Sequence, residues 1–162
     1  MSVKSIDKDY ETLTVTALAE FKATPERVWE LWADPRKLES WWGPPTYPAT
    51  VQQHELVPGG SVTYFMTGPD GNTYHGWWNV LTVEPPRQLS FRDGFADEDG
   101  TPQEDMPITE VTVTLTARDG GTTAEVVTAF PDRTQMDALI SMGAVEGYSE
   151  AMSQMDAVLA TA

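Results

Sequence analysis

The sequence contains no cysteine. Disulfides, thiolate zinc sites and cysteine nucleophiles are therefore excluded, and several catalytic classes with them. Positive charge is scarce: 10 Lys and Arg stand against 25 Asp and Glu, a formal charge of −15 at pH 7. Such a field repels phosphate backbones and anionic lipid head groups, so neither nucleic acid nor a membrane is an expected partner. No apolar run approaches the roughly 20 residues that span a bilayer, and the opening Met1-Ser-Val-Lys-Ser-Ile-Asp-Lys-Asp9 lacks the apolar stretch of a signal peptide. A cytoplasmic location is the expectation. Histidine is almost absent, found only at His54 and His75. No Ser-His-Asp spacing, no histidine pair with a carboxylate at metal-ligand spacing and no glycine-rich phosphate loop accompanies these two. Accordingly no catalytic residue, metal or cofactor is assigned.

What is present is the composition of a globular unit. The 162 residues are 40% hydrophobic and include six Trp, five Tyr and five Phe. A chain of about 150 residues buries roughly 68–70% of its unfolded surface, enough for a sizeable core with a cavity. With no repeat, linker or low-complexity tract, residues 1–162 read as one domain with its core at about 12–160.

The pattern along the chain changes period twice. Leu13-Thr-Val-Thr-Ala-Leu-Ala-Glu-Phe21 alternates as a half-buried strand does. Thr24 then offers an N-cap hydroxyl and Pro25 suits the first helical position, predicting a helix to about Ala33 and a second short one from Pro35 to Trp42. From Ala49 to Phe130, turn chemistry at Pro58-Gly-Gly60, Gly68-Pro-Asp-Gly71, Glu84-Pro-Pro86 and Asp119-Gly-Gly121 divides strands at 49–57, 61–67, 73–83, 88–93, 109–118 and 122–130. Asp132 and Gln135 form a capping-box pattern that opens a single long helix over 133–160. The expectation is α+β: a curved seven-stranded antiparallel sheet around a long C-terminal helix, with two short helices between strands one and two.

That order resembles the helix-grip (Bet v-type) fold of START-like, or SRPBCC, proteins. The stretches Phe21-Lys-Ala-Thr-Pro-Glu-Arg-Val-Trp29, Trp32-Ala-Asp-Pro35 and Trp41-Trp-Gly-Pro44 resemble the opening of bacterial proteins similar to the C-terminal domain of the heat-shock-protein-ninety ATPase activator. Pro58-Gly-Gly60, Gly76-Trp-Trp78, Glu84-Pro-Pro86, Gly94-Phe-Ala-Asp97, Gly120-Gly-Thr122 and Met142-Gly-Ala-Val-Glu-Gly147 extend the likeness over roughly 12–160. The resemblance implies a cavity between sheet and long helix, used across relatives for lipids, steroids, polyketides and antibiotics. It implies no shared catalytic residue. A chaperone partner stays unsupported, because the eukaryotic activator works through a further domain for which 162 residues leave no room.

Strand alternation puts Val62, Tyr64 and Met66 on one face, with Leu89 and Phe91, Val111, Val113 and Leu115, and Ala124, Val126 and Thr128. Trp77 and Trp78 must point to opposite faces, so one of them lies outward. Gly143, Gly147 and Ala151 form a small-residue stripe on the long helix that either admits the sheet or leaves a void. The loop from Asp93 to Asp105 holds six carboxylates and reads as a solvated acidic segment. Phe95 and Met106 within and beside it could cover a pocket mouth as a lid. The candidate ligand-binding set is Trp41, Val62, Tyr64, Met66, His75, Trp77, Phe91, Phe95, Met106, Val113, Met142, Gly143, Gly147 and Tyr148, with Tyr64, His75 and Tyr148 as polar contacts.

The leading expectation is carriage, sequestration or sensing of a small apolar molecule. Two alternatives stand beside it. One is a polyketide cyclase-like or hydrolase-like enzyme using Glu20, Glu55, His54 or His75. The other is a stress-related protein-interaction module using the outward Trp, a patch through which a homodimer could also form.

Overall fold

The structure, a computed structural model, describes residues 3–103 and 105–160. Glu104, one of the six loop carboxylates, falls outside them. The described elements are, in order, β1 (Val3–Asp9), β2 (Thr14–Phe21), α1 (Pro25–Ala33), α2 (Pro35–Trp41), β3 (Ala49–His54), β4 (Ser61–Thr67), β5 (Thr73–Glu84), β6 (Gln88–Ala96), β7 (Thr109–Arg118), β8 (Gly121–Ala129), α3 (Arg133–Ser141), α4 (Ala144–Met152) and α5 (Met155–Ala160).

One antiparallel sheet runs in the order β1-β2-β8-β7-β6-β5-β4-β3. It has eight strands where the sequence pattern predicts seven. The additional strand, β1, is a half-exposed edge with a register shift between Val3 and Ser5. Its only apolar residues, Val3 and Ile6, are three apart, so they carry no period-two signal. The predicted start of the next strand also moves: Leu13 takes φ 58° in the turn before β2 rather than opening the strand.

The two short helices start where their caps dictate. Thr24 Oγ1 accepts from Arg27 N at 3.3 Å, and Asp34 Oδ1 accepts from Arg36 N at 2.9 Å, each with a proline at the first helical position. Glu39 of α2 accepts the Val51 backbone N–H at 2.9 Å, while Arg36 donates to the Val51 carbonyl at 3.0 Å. These bonds pin α2 beside edge strand β3.

The C-terminal segment opens at Asp132, whose Oδ1 accepts Gln135 N at 2.7 Å. It is not the single helix predicted over 133–160 but three pieces. The first break is at Gly143, which holds φ +89°, a conformation costly for any residue with a Cβ and a common way to end a helix. The second is at Ser153 and Gln154. There Gln154 Nε2 donates to the Gly43 and Trp41 carbonyls, at 2.7 and 3.3 Å, tying the chain to the end of α2.

Buried side chains fall into two clusters. The larger holds Trp32, Trp41, Trp42, Trp78, Phe91 and Leu89 with the inward residues of the central strands, under α1, α2 and the Ala151–Met155 stretch. The smaller joins Val15 and Phe130 to Met136 and Leu139 of α3. A gap separates the two.

Candidate functional site

The gap is a cleft of about 390 Å³ between the sheet and the helices α3 and α4. The sheet supplies Val15, Tyr64, Met66, Asp93, Phe95, Val111 and Thr128. Strand alternation and cross-strand register put all seven on the same face of the sheet. Leu139, Ile140, Met142, Gly147, Tyr148 and Ala151 come from the helical side, and Trp42 and Pro44 close one wall. Trp42 stands at the boundary with the main core. Its ring makes edge-on contacts with Trp78 (5.0 Å between centroids), Trp41 (5.5 Å), Tyr64 (5.8 Å) and Tyr148 (6.3 Å).

The void persists because the helical side is trimmed where a longer chain would fill it. A Cβ at Gly147 would meet only Pro44 Cγ, at 3.8 Å, so nothing but the missing side chain keeps that space open. Of the two reasons proposed for the small-residue stripe, the void holds at Gly147. Gly143 serves a third, the left-handed turn that separates α3 from α4.

At the floor lies an acid. Asp93 is half-buried, and its Oδ1 accepts the Tyr64 hydroxyl at 3.0 Å. That hydroxyl reaches it because Gly76, opposite Tyr64 on β5, has no side chain. A Cβ there would stand 2.4 Å from the Tyr64 ring tip. Burial raises the Asp93 carboxyl to about 7, against a partial offset from the Tyr64 bond, and among the described residues no cation is paired with it. Burial, reinforced by the Asp93 charge, pushes both Tyr64 and Tyr148 above the ordinary phenol range. Among the described residues, the buried Tyr148 hydroxyl has no hydrogen-bond partner. Leaving such a group unmet costs about 1–3 kcal/mol.

Of the residues singled out from sequence, Tyr64, Met66, Phe95, Met142, Gly143, Gly147 and Tyr148 line the cleft. The other seven do not. Trp41 is fully buried and donates to the Leu31 carbonyl at 2.8 Å; its neighbour Trp42 takes the wall position instead. Val62 and Val113 pack in the main core, where Phe91 stacks on Trp78 with centroids 3.8 Å apart. His75 lies on the convex face beside Phe65 and Thr73. Trp77 is the outward member of its pair, with its N–H on the Phe95 carbonyl at 2.9 Å and its ring across Gly94. Met106 is half-buried outside the lining.

The segment expected as a lid is tied down rather than free. Ala96 bridges Pro102, Gln103 N donates to the Phe95 carbonyl at 2.8 Å, and Phe95 itself belongs to β6. Asp93, predicted as the end of a strand over 88–93 and the start of the acidic loop, lies inside that strand too. The other acid–base candidates are turned elsewhere. Glu20 and Glu55 are exposed, and His54 Nε2 bonds the Trp32 carbonyl at 2.9 Å. Among the described residues, no three His, Asp or Glu side chains are placed to hold a metal.

A second depression, of about 930 Å³, lies at the β7–β8 turn between Lys4, Glu20, Lys22, Arg118, Asp119 and Asp156. Two of its charge pairs, Lys4 with Glu20 and Arg118 with Asp119, each stand 3.8 Å apart and largely exposed. Size favours this depression, but chemistry favours the cleft, which joins apolar walls to converging polar groups.

Residues 22–160 match the family model described as Activator of Hsp90 ATPase homolog 1-like protein. A Mycobacterium smegmatis protein of known crystal structure is 48% identical, over 97% of this chain and 96% of its own, with a TM-score of 0.90. An Arthrobacter aurescens protein solved by NMR is 46% identical, over 99% and 94%, with a TM-score of 0.95. A Rhodobacter sphaeroides protein of known crystal structure is 26% identical, over 98% and 99%, at 0.82. No curated protein matches the chain.

Proposed function

The chain belongs to the family of Activator of Hsp90 ATPase homolog 1-like proteins, and from that premise we propose that it binds one small, largely apolar molecule in the cleft between the sheet and α3–α4, as a carrier, sequestering protein or sensor. The observation that carries the reading is the cleft itself. Its volume of about 390 Å³ lies within the roughly 300–1,000 Å³ range of small-molecule sites, and apolar walls converge on Asp93, Tyr64 and Tyr148. Burying about 200 Å² of ligand apolar surface contributes roughly 5 kcal/mol before the costs of association. Apolar contact alone therefore gives weak binding, and the polar floor decides affinity and orientation.

A second reading, acid–base catalysis on the same scaffold, draws support from Asp93, whose carboxyl is raised to about 7, close to working pH. It requires a turnover that disappears in Asp93→Asn.

Native mass spectrometry of the protein purified from its own cells, followed by denaturing extraction, tests the binding reading. The expected result is an added mass released on denaturation as one apolar compound. A clean apo mass, together with no thermal shift across a library of apolar compounds, would contradict it.

A further inference from the structure

The chemical class of the ligand is written in what the cleft lacks. Among the described residues, no lysine, arginine or histidine lines it, and Asp93 is its one charged side chain. A ligand carboxylate would enter beside an acid with nothing to neutralise it. Asp93 Oδ1 is occupied by the Tyr64 hydroxyl, whereas among the described residues Oδ2 takes no donor and is not one of the buried atoms sealed from solvent. Since Asp93 lines the cleft, Oδ2 is left as its free acceptor. Around it stand Trp42, Tyr64, Phe95 and Tyr148, side chains whose ring quadrupoles favour a cation over an anion. The −15 charge of the chain acts at longer range in the same sense, concentrating cations near the mouth.

We propose that the cleft binds an apolar organic amine, its ammonium group seated on Asp93 Oδ2 among these rings and its hydrocarbon body against Val111, Leu139 and Ile140. This rests on the reading of the cleft as a ligand site and names the class of ligand. The groups facing Asp93 support it. Tyr64 from β4 and Tyr148 from α4 are the other titratable side chains of the lining, and both stay neutral at working pH, while β5 and β7 present Trp78 and Thr109 opposite Asp93 and no charge. An arriving ammonium therefore meets one acid and no competing base. Its arrival favours the ionised carboxylate, so binding below about pH 7, where the free carboxyl still holds its proton, releases protons.

Three matched probes test the proposal by calorimetric titration of the intact protein at pH 8: 1-naphthylmethylamine, 1-naphthalenemethanol and 1-naphthoic acid. The expected order of affinity is amine, then alcohol, then acid, with at least tenfold between the first two. Asp93→Asn should erase that tenfold, bringing the amine down to the affinity of the alcohol for the same variant. Lowering the pH from 8 to 5.5 on the unaltered protein should weaken the amine at least tenfold and spare the alcohol, a result that does not depend on the variant folding. Alcohol binding as tightly as the amine would overturn the amine inference while leaving the cleft as a binding site. Failure of all three to bind would overturn both.

Discussion

One end of the sheet is closed and the other is held open, although the same strands build both. At the closed end Trp41, Trp78 and Phe91 are completely buried beneath α1 and α2, and the Trp78–Phe91 pair stacks at 3.8 Å. At the open end the same strands carry on to Asp93, Val111 and Thr128, but the covering helices are broken at Gly143 and trimmed at Gly147. The difference teaches that the void is a property of the helices rather than of the sheet. Stability is concentrated where the rings interlock. The end with the free acid and unmet hydroxyl is built less tightly, as binding sites are.

The sharpest way to break this comparison is to damage the closed end. Trp41→Ala removes a ring packed against Trp32 and Trp42 together with its bond to the Leu31 carbonyl, and should cost about 3–5 kcal/mol by urea denaturation. A loss below about 1 kcal/mol would show that the aromatic end is not the stabilising one.

The acid at the open end predicts the opposite sign. Its folded value of about 7 lies above the ordinary carboxylate value, so between about pH 4 and pH 7 the folded protein holds a proton that the unfolded chain has released. Stability must fall as pH rises through that window and level off above it. Asp93→Asn should remove this slope, gaining on the order of 2–4 kcal/mol at pH 8 and little at pH 4. Parallel pH profiles for the two proteins would mean that Asp93 ionises freely in the folded state.

The smallest effects separate the two glycines. Gly147→Ala replaces a helix-interior glycine with room for its Cβ and should stabilise by about 0.5–1 kcal/mol. Gly143→Ala forces φ +89° on a residue with a Cβ and should destabilise by about 1–2 kcal/mol. Melting curves of the pair decide whether the break or the void governs each position.

Much of the fold is legible in the sequence because period two and turn chemistry are local. β4 and β7 fall on their predicted bounds, and α1 starts at its Thr24–Pro25 signal. β1 is not legible, since an exposed edge strand needs no alternation. The continuous helix predicted over 133–160 hides its second break, at Ser153–Gln154, because no glycine or proline marks it and a long-range bond from Gln154 holds it. For the site, alternation tells which face a residue takes but not how far along the sheet the helices reach. Val62 and Tyr64 therefore look alike in sequence, yet one is core and the other lines the cleft. Asp93 is missed for a related reason. Beside Gly94 and a run of acids it reads as the last residue of the strand predicted over 88–93 and the first of the acidic loop, whereas β6 continues to Ala96 and carries it inward. The available signal was its in-phase spacing with Leu89 and Phe91.

The central claim is that the space beside Gly147 is where a small apolar molecule binds. Titration of a neutral apolar fluorophore, N-phenyl-1-naphthylamine, into the unaltered protein and into Gly147→Leu tests it most directly, with melting temperature as a control for folding. Saturable one-to-one binding that weakens more than tenfold in a variant melting at or above the original temperature is the predicted result. Equal affinity in both proteins would contradict the claim.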